Sequence, residues 1–319
     1  MSPRVTVYDD RSERWALIGG DALELLGALP QDSVDAVICD PPYNLDFHDE
    51  PWDGKSIRAT APEIGPNAAF AEWTRRWAAA ATSSLKPGGH LLAFGSPRTF
   101  HRLVSGIEDA GFEVRDQVLW VHGQGIPKSR RLPGGRGTQL KPAFEPILIA
   151  RKPLTGTTAQ NVERFGTGTL NVDAARVGLQ RYWPANLALS HHPDCPVALL
   201  DHNTREPSRL FYSPKASPTE REAGCEELAP RATQIYQGAS HPVRLVRNHH
   251  PTVKPVDLMR WLVRLAVPDG ATVLDPFCGS GTTGIAAIAE GRRFVGIERR
   301  EDYLEIACAR LAHAARERA

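Results

Sequence analysis

The sequence predicts an α/β protein built on a doubly wound, largely parallel sheet, and three observations carry that prediction. The run at 34–39, Val-Asp-Ala-Val-Ile-Cys, is dense in β-branched and apolar residues, as a strand buried on both faces must be. It stops on Asp40-Pro41-Pro42-Tyr43, where two prolines bar an ordinary helix and hold a carboxylate in a stiff, extended turn. A second apolar run, Val273-Leu274-Asp275, leads into a glycine turn, a helix and a third strand ending on Glu298. Strand and helix alternate in this way in open sheets, whose chemistry gathers past the carboxyl ends of the strands.

The elements follow in order. Residues 15–18 read as a short strand, and Gly19-Gly20-Asp21-Ala22 opens an amphipathic turn in which Asp21 serves either as a helix cap or as a ligand. Residues 44–67 are rich in Asp, Gly and Pro and lack periodicity, which predicts a long loop over the sheet edge acting as a lid or binding loop. Phe70, Trp73 and Trp77 share one face of a helix over 70–85, and both tryptophans are read as core; Lys86-Pro87-Gly88-Gly89 ends the helix. A strand at 91–94, a helix at 99–109 and strands at 114–121 and 144–150 continue the alternation.

Between the last two strands, residues 122–141 carry Lys128, Arg130, Arg131, Arg136 and Lys141 without one acidic residue. Basic side chains on a flexible backbone suit a phosphate chain, and they equally suit a solvated loop. Periodicity is weak over 154–247, which reads as an insertion or small second domain carried by the sheet. An amphipathic helix at 256–267, the strand at 272–274, a helix through Ile285 and Ala289, the strand at 293–297 and a helix at 303–316 complete the chain.

Composition narrows the function. The 319 residues carry a net charge of +1, so charge distribution, not total charge, has to indicate a nucleic-acid partner. No apolar run is long enough to span a bilayer and residues 1–10 have no signal-peptide core, so no membrane association and a cytoplasmic location are expected. The five cysteines are widely spaced. Neither they, nor the group His191, His192, Asp194 and Cys195, nor the pair His249-His250 shows ordered metal-ligand spacing, so no metal is expected.

The crossover from Asp275 to Glu298 has the form of a nucleoside site. Gly279 and Gly281 allow a tight bend and close backbone approach, and Glu298 is placed to accept from ribose hydroxyls. There is no Gly-Lys-Thr phosphate loop, and Asp275 stands where a pyrophosphate would sit badly and a cationic amino-acid group well. That chemistry selects S-adenosyl-L-methionine over NAD or ATP.

Asp40-Pro41-Pro42-Tyr43, the stretch Asp275-Pro276-Phe277-Cys278-Gly279-Ser280-Gly281-Thr282-Thr283, Glu298, His250-Pro251-Thr252-Val253-Lys254-Pro255 and Gly20-Asp21-Ala22 together resemble the amino methyltransferases of DNA. The likeness is to the permuted (beta) subgroup, in which the catalytic motif precedes the cofactor motif. It implies a circularly permuted Rossmann-like methyltransferase sheet with a target-recognition insertion, and a strand at 15–18 lying beside the strand at 293–297. The implied layout is a catalytic part at 1–153, target recognition at 154–247 and a cofactor-binding part at 248–319. By the same resemblance, Asp21 faces the adenine, Glu298 takes the ribose hydroxyls, and Phe277, Cys278, Gly279, Ser280, Gly281 and Thr282 with Thr252 and Lys254 surround the methionine part; Ala22, Asp275 and Arg299 complete the cofactor-binding set. The implied partner is double-stranded DNA, held by Lys128, Arg130, Arg131, Arg136 and Lys141, with room for a homodimer.

The implied chemistry is attack by an exocyclic amine on the cofactor methyl group. Asp40 and a carbonyl of Pro41 or Pro42 accept the amine hydrogens, and Tyr43 stacks on a base that must be flipped out of the duplex. Amine methylation needs no covalent intermediate, so Cys39 and Cys278 are read as packing residues. An aspartate at the first motif position favours N6 of adenine; N4 of cytosine is the alternative, and an RNA or protein amine a more distant one.

Overall fold

The structure is a computed structural model and describes residues 6–9, 14–46, 52–122, 132–178, 181–190, 210–233 and 244–318. Ten strands form one sheet in the order β1 (Thr6–Asp9), β2 (Trp15–Gly19), β12 (Arg293–Glu298), β11 (Thr272–Asp275), β3 (Val34–Cys39), β4 (Leu85–Phe94), β6 (Phe144–Arg151), β5 (Glu113–Val121), β7 (Leu187–Leu189) and β8 (Phe211–Tyr212). From β2 through β4 the pairs are all parallel, and β3 is buried along its whole length. Ala36 and Ile38 pack on one face of the sheet while Val37 and Cys39 pack on the other, which is why the run shows no polar alternation.

Helices cover both faces. Val256–Ala266, Thr282–Ala289 and Glu301–Glu317 bury their apolar stripes in one core, and Pro66–Ser84 with Phe100–Asp109 form the other. Trp77 is fully enclosed and Trp73 nearly so, as their helical spacing predicts. The expected permutation is present: β2 pairs in parallel with β12, from Phe294 opposite Trp15 to Glu298 opposite Gly19. The chain leaves β3 toward β4 and leaves β11 toward β12, so the sheet changes direction between β3 and β11.

β6 runs antiparallel to both neighbours, with Phe94 opposite Ile147 and Val121 opposite Phe144. Its amino end therefore lies at the same rim as the carboxyl ends of β4 and β5. Two differences from the sequence reading concern element limits. Lys86-Pro87-Gly88-Gly89 lies inside β4, because Val34 pairs with Leu85 ahead of a register shift. In the loop expected at 44–67, a helical turn forms at Lys55–Arg58 and the long helix already begins at Pro66.

Parts of 154–247 are built onto the sheet. β7 and β8 extend it beyond β5, the helix Thr158–Phe165 starts at a Thr157–Gln160 capping box, and Phe211 stacks on Trp261 at 5.0 Å. Apart from the sheet stands a two-stranded ribbon of β9 (Arg231–Thr233) and β10 (Arg244–Val246). Among the described residues no helix is long and apolar enough to cross a membrane.

Candidate active site

The switch point places Asp40, just past β3, beside Asp275 at the end of β11. A cleft of about 1050 Å³, open to solvent, runs along the carboxyl ends of β3, β11 and β12. Its wall takes in Asp21, Ala22, Asp40, Pro42, Thr252, Lys254, Asp275, Phe277, Cys278, Gly279, Ser280, Thr282, Glu298 and Arg299. Pro41, Tyr43 and Gly281 adjoin lining residues in the chain without lining the cleft themselves. Trp52, Ser56 and Ile57 from the expected binding loop also face the cleft. Arg136 and Lys141 are exposed on the segment leading into β6, whereas Lys128, Arg130 and Arg131 lie outside the described residues.

The loop after β11 is shaped by its own hydrogen bonds. Asp275 Oδ1 accepts from the Phe277 amide at 2.9 Å, and its Oδ2 accepts from the Thr283 hydroxyl at 2.6 Å. Gly279 and Gly281 take φ of 53° and 81°, left-handed conformations that a side chain would strain. The Gly279 and Arg300 amides both donate to Glu298 at 2.8 Å, tying the loop to the end of β12. Phe277 wedges between Trp73 and Trp77, at 5.4 and 5.3 Å between ring centres. Asp21 caps the helical turn Ala22–Leu25 through Leu23 and also meets Arg299 at 3.4 Å, so its cap role is real and does not exclude the other.

Arg310 was not anticipated. Buried in the last helix, its Nη1 donates to the Ser280 carbonyl at 2.7 Å, the Ser280 hydroxyl at 3.1 Å and the Thr282 hydroxyl at 3.2 Å. An arginine in an amphipathic, alanine-rich helix reads as solvent-facing, and no local signal marks this one as buried.

The donor set suits a cationic nucleoside. Four carboxylates, Asp21, Asp40, Asp275 and Glu298, line the cleft. The facing cations are already matched: Lys254 by Asp40 and Glu145, Arg299 by Asp21, Arg300 by Asp302. Burial, reinforced by Asp40 and Glu298 and opposed by the Thr283 and Phe277 hydrogen bonds, lifts Asp275 to about 7. Burial likewise lifts Glu298 to about 7, against the backbone amides that bond it. A sulfonium with an ammonium group relieves this excess of negative charge, and a polyphosphate would worsen it.

The other end of the cleft holds a compact ionic group. Tyr43 donates its hydroxyl to Asp40 Oδ1 at 2.6 Å and reaches Glu145 Oε2 at 3.4 Å. The Lys254 ammonium bonds Asp40 Oδ2 and lies 3.3 Å from Glu145 Oε2. His122 Nε2 stands 3.3 Å from the other Glu145 oxygen. Lys254, which the sequence reading set on the methionine side of the cofactor, lines the cleft and pairs with Asp40 and Glu145. Burial alone would depress Lys254, but Asp40 and Glu145 outweigh it and hold it above its ordinary value, so it is cationic. Burial raises Asp40, with Lys254 opposing and Glu145 adding to the rise.

Glu145 and His122 were also missed, since site residues are sought past the end of a parallel strand and Glu145 lies at the start of an antiparallel one. Burial pushes the Cys39 and Cys278 thiols well up, away from a nucleophilic thiolate. His191, His192, Asp194 and Cys195 lie outside the described residues. Among those described, no three His, Cys, Asp or Glu side chains gather to hold a metal.

Comparison with known proteins fits this geometry. The family model described as DNA methylase, covering N6 and N4 methyltransferases, matches residues 34–309. Type II methyltransferase M.HindIII of Haemophilus influenzae is 24% identical over 92% of this chain and 94% of its own. DNA adenine methyltransferase YhdJ of Escherichia coli is 27% identical over 94% of this chain and 83% of its own. Among solved structures, the cytosine-N4-specific PvuII DNA methyltransferase superposes with a TM-score of 0.58 at 18% identity, covering 93% of this chain and 86% of that one, a likeness of fold. The chain belongs to the DNA methylase family, whose members transfer a methyl group from S-adenosyl-L-methionine to an exocyclic amine of a DNA base.

Proposed function

We propose that this enzyme methylates N6 of adenine at specific sites in duplex DNA, with Asp40 as the group that meets the amine. The observation that carries the reading is the Asp40 carboxylate at the switch point, one strand from Asp275 and the glycine loop. The carboxylate at this motif position and the adenine named for the Escherichia coli relative favour adenine over cytosine.

Bound in the cleft, S-adenosyl-L-methionine would supply an electrophilic methyl group. Glu298 and Asp21 would hold its nucleoside, and Asp275, Thr252 and the 277–282 loop its amino-acid part. An exocyclic amine is a weak nucleophile because its lone pair is delocalised into the ring. Asp40 and the Pro41 or Pro42 carbonyl accept its hydrogens and favour a pyramidal nitrogen, and Asp40 takes up the proton released after transfer. Tyr43, held beside Asp40, supplies a face for the flipped base. Arg136 and Lys141, with Lys128, Arg130 and Arg131, neutralise phosphates. We place the enzyme in the cytoplasm with its DNA and propose a homodimer, to be checked by light scattering.

The deciding experiment incubates the enzyme with S-adenosyl-L-methionine and DNA, digests the DNA to nucleosides and identifies them by mass spectrometry, with sequencing to locate the sites. N6-methyladenine at a recurring sequence is the expected product; N4-methylcytosine would overturn the choice of base. Asp40→Ala is expected to cut methyl transfer by about a hundredfold or more while cofactor binding persists.

A further inference from the structure

Without a substrate, both oxygens of Asp40 are occupied, Oδ1 by the Tyr43 hydroxyl and Oδ2 by the Lys254 ammonium. A carboxylate paired so closely to an ammonium is a poor acceptor for a neutral amine, because its charge is already neutralised. The same two donors lie within reach of one atom of a second carboxylate, Glu145 Oε2, at 3.4 Å for Tyr43 and 3.3 Å for Lys254.

The placement of Glu145 is built in. His122 stands at its other oxygen, so Oε2 is the atom left to face the donors. The backbone around it is clamped on both sides, by the His122 amide on the Ala143 carbonyl at 2.7 Å and by the Gly95 amide on the Pro146 carbonyl at 2.9 Å. Beneath, the Phe94 ring centre lies 5.0 Å from the Lys254 ammonium, a contact that tolerates a small shift of the cation.

We propose that Glu145 is the alternate acceptor that takes the Tyr43 hydroxyl and the Lys254 ammonium over from Asp40 when the target amine enters, freeing the Asp40 carboxylate to meet the amine. The exchange breaks no covalent bond: Tyr43 keeps its proton and Lys254 its charge. Glu145 is thereby a positioning residue, acting on the substrate only through Asp40. The ionisable groups facing this exchange are Asp40 and Tyr43 after β3, Cys39 at its end, Lys254 and His250 ahead of the helix Val256–Ala266, His122 after β5, Lys215 after β8, and Asp275 on the far side of Asp40. The inference rests on the amine-methylation reading.

The test is the single-turnover rate of methyl transfer to DNA as a function of pH for Glu145→Gln, with wild type alongside. Loss of the acceptor charge is expected to lower the plateau rate roughly tenfold to a hundredfold. It should also move the acid limb to lower pH, since Glu145 raises Asp40, while the affinity for S-adenosyl-L-methionine stays unchanged. A wild-type plateau, or a lowered plateau with the acid limb in place, would overturn the proposal. Should Glu145→Gln not fold, Glu145→Asp carries the test, because it keeps the charge but withdraws it by one methylene. A reduced plateau with the limb displaced the same way supports the exchange, and wild-type behaviour sinks it. A wild type that methylates no DNA defeats the functional reading itself, whereas an active wild type with an indifferent variant defeats this inference alone.

Discussion

Asp275 and Glu298 line the cleft at the ends of β11 and β12, and their pH behaviour is unusual for carboxyl groups. Both are lifted to about 7 by burial, above their values in an unfolded chain. The folded, ligand-free protein therefore binds more protons than the unfolded chain between the two values, and loses stability as pH rises from about 4 to about 7. A permanently cationic sulfonium prefers the ionised forms. Its affinity should tighten between about pH 6 and about pH 8 by roughly tenfold for each group, and the thermal stabilisation it confers should grow in parallel. Calorimetric titration across that range checks this, and a flat affinity would contradict it. Sequence reading found these two acids because each ends a strand at a recognisable turn. It missed Glu145 and Arg310, whose roles come from partners 109 and 30 residues distant, Lys254 and Ser280, and leave no local pattern.

At the scale of elements, the turn from β11 into the helix Thr282–Ala289 is held by close approach. A Cβ on Gly279 would come within 2.6 Å of His250 Nε2, and its φ of 53° disfavours any side chain. Gly279→Ala should cost about 1–3 kcal/mol of stability from the backbone alone and, by displacing His250 and the loop, weaken cofactor binding at least about tenfold. Thermal melting and cofactor titration of the same variant test both. The buried strands and long helices were legible because their patterns repeat over several residues. β7 and β8, of three and two residues, are too short for any period to show, so their attachment to the sheet was hidden in 154–247.

For the whole molecule, the parallel pairing of β2 with β12 joins segments from opposite ends of the chain, and Arg14 Nη1 donates to the Ala315 carbonyl at 3.1 Å. The order of motifs is thus a matter of where the chain is cut. Joining residue 319 to residue 1 by a short flexible linker and reopening the chain between Gly135 and Arg136, in an exposed segment, should preserve the sheet. The permutant is expected to bind S-adenosyl-L-methionine with near wild-type affinity and to melt several degrees lower, as circular dichroism and titration would report; failure to bind would refute this account of the sheet. Permutation was legible in the sequence because motif order survives in one chain, whereas the reversal of β6 leaves no such mark.

That reversal has a further consequence. β5 ends and β6 begins at one rim, and the His122 amide closes the neck between them on the Ala143 carbonyl. The basic stretch is therefore a detour that leaves and returns at a single gate beside Asp40. Nature or an engineer can lengthen, shorten or swap the detour without re-threading the sheet or moving the strands that carry Asp40 and Glu145.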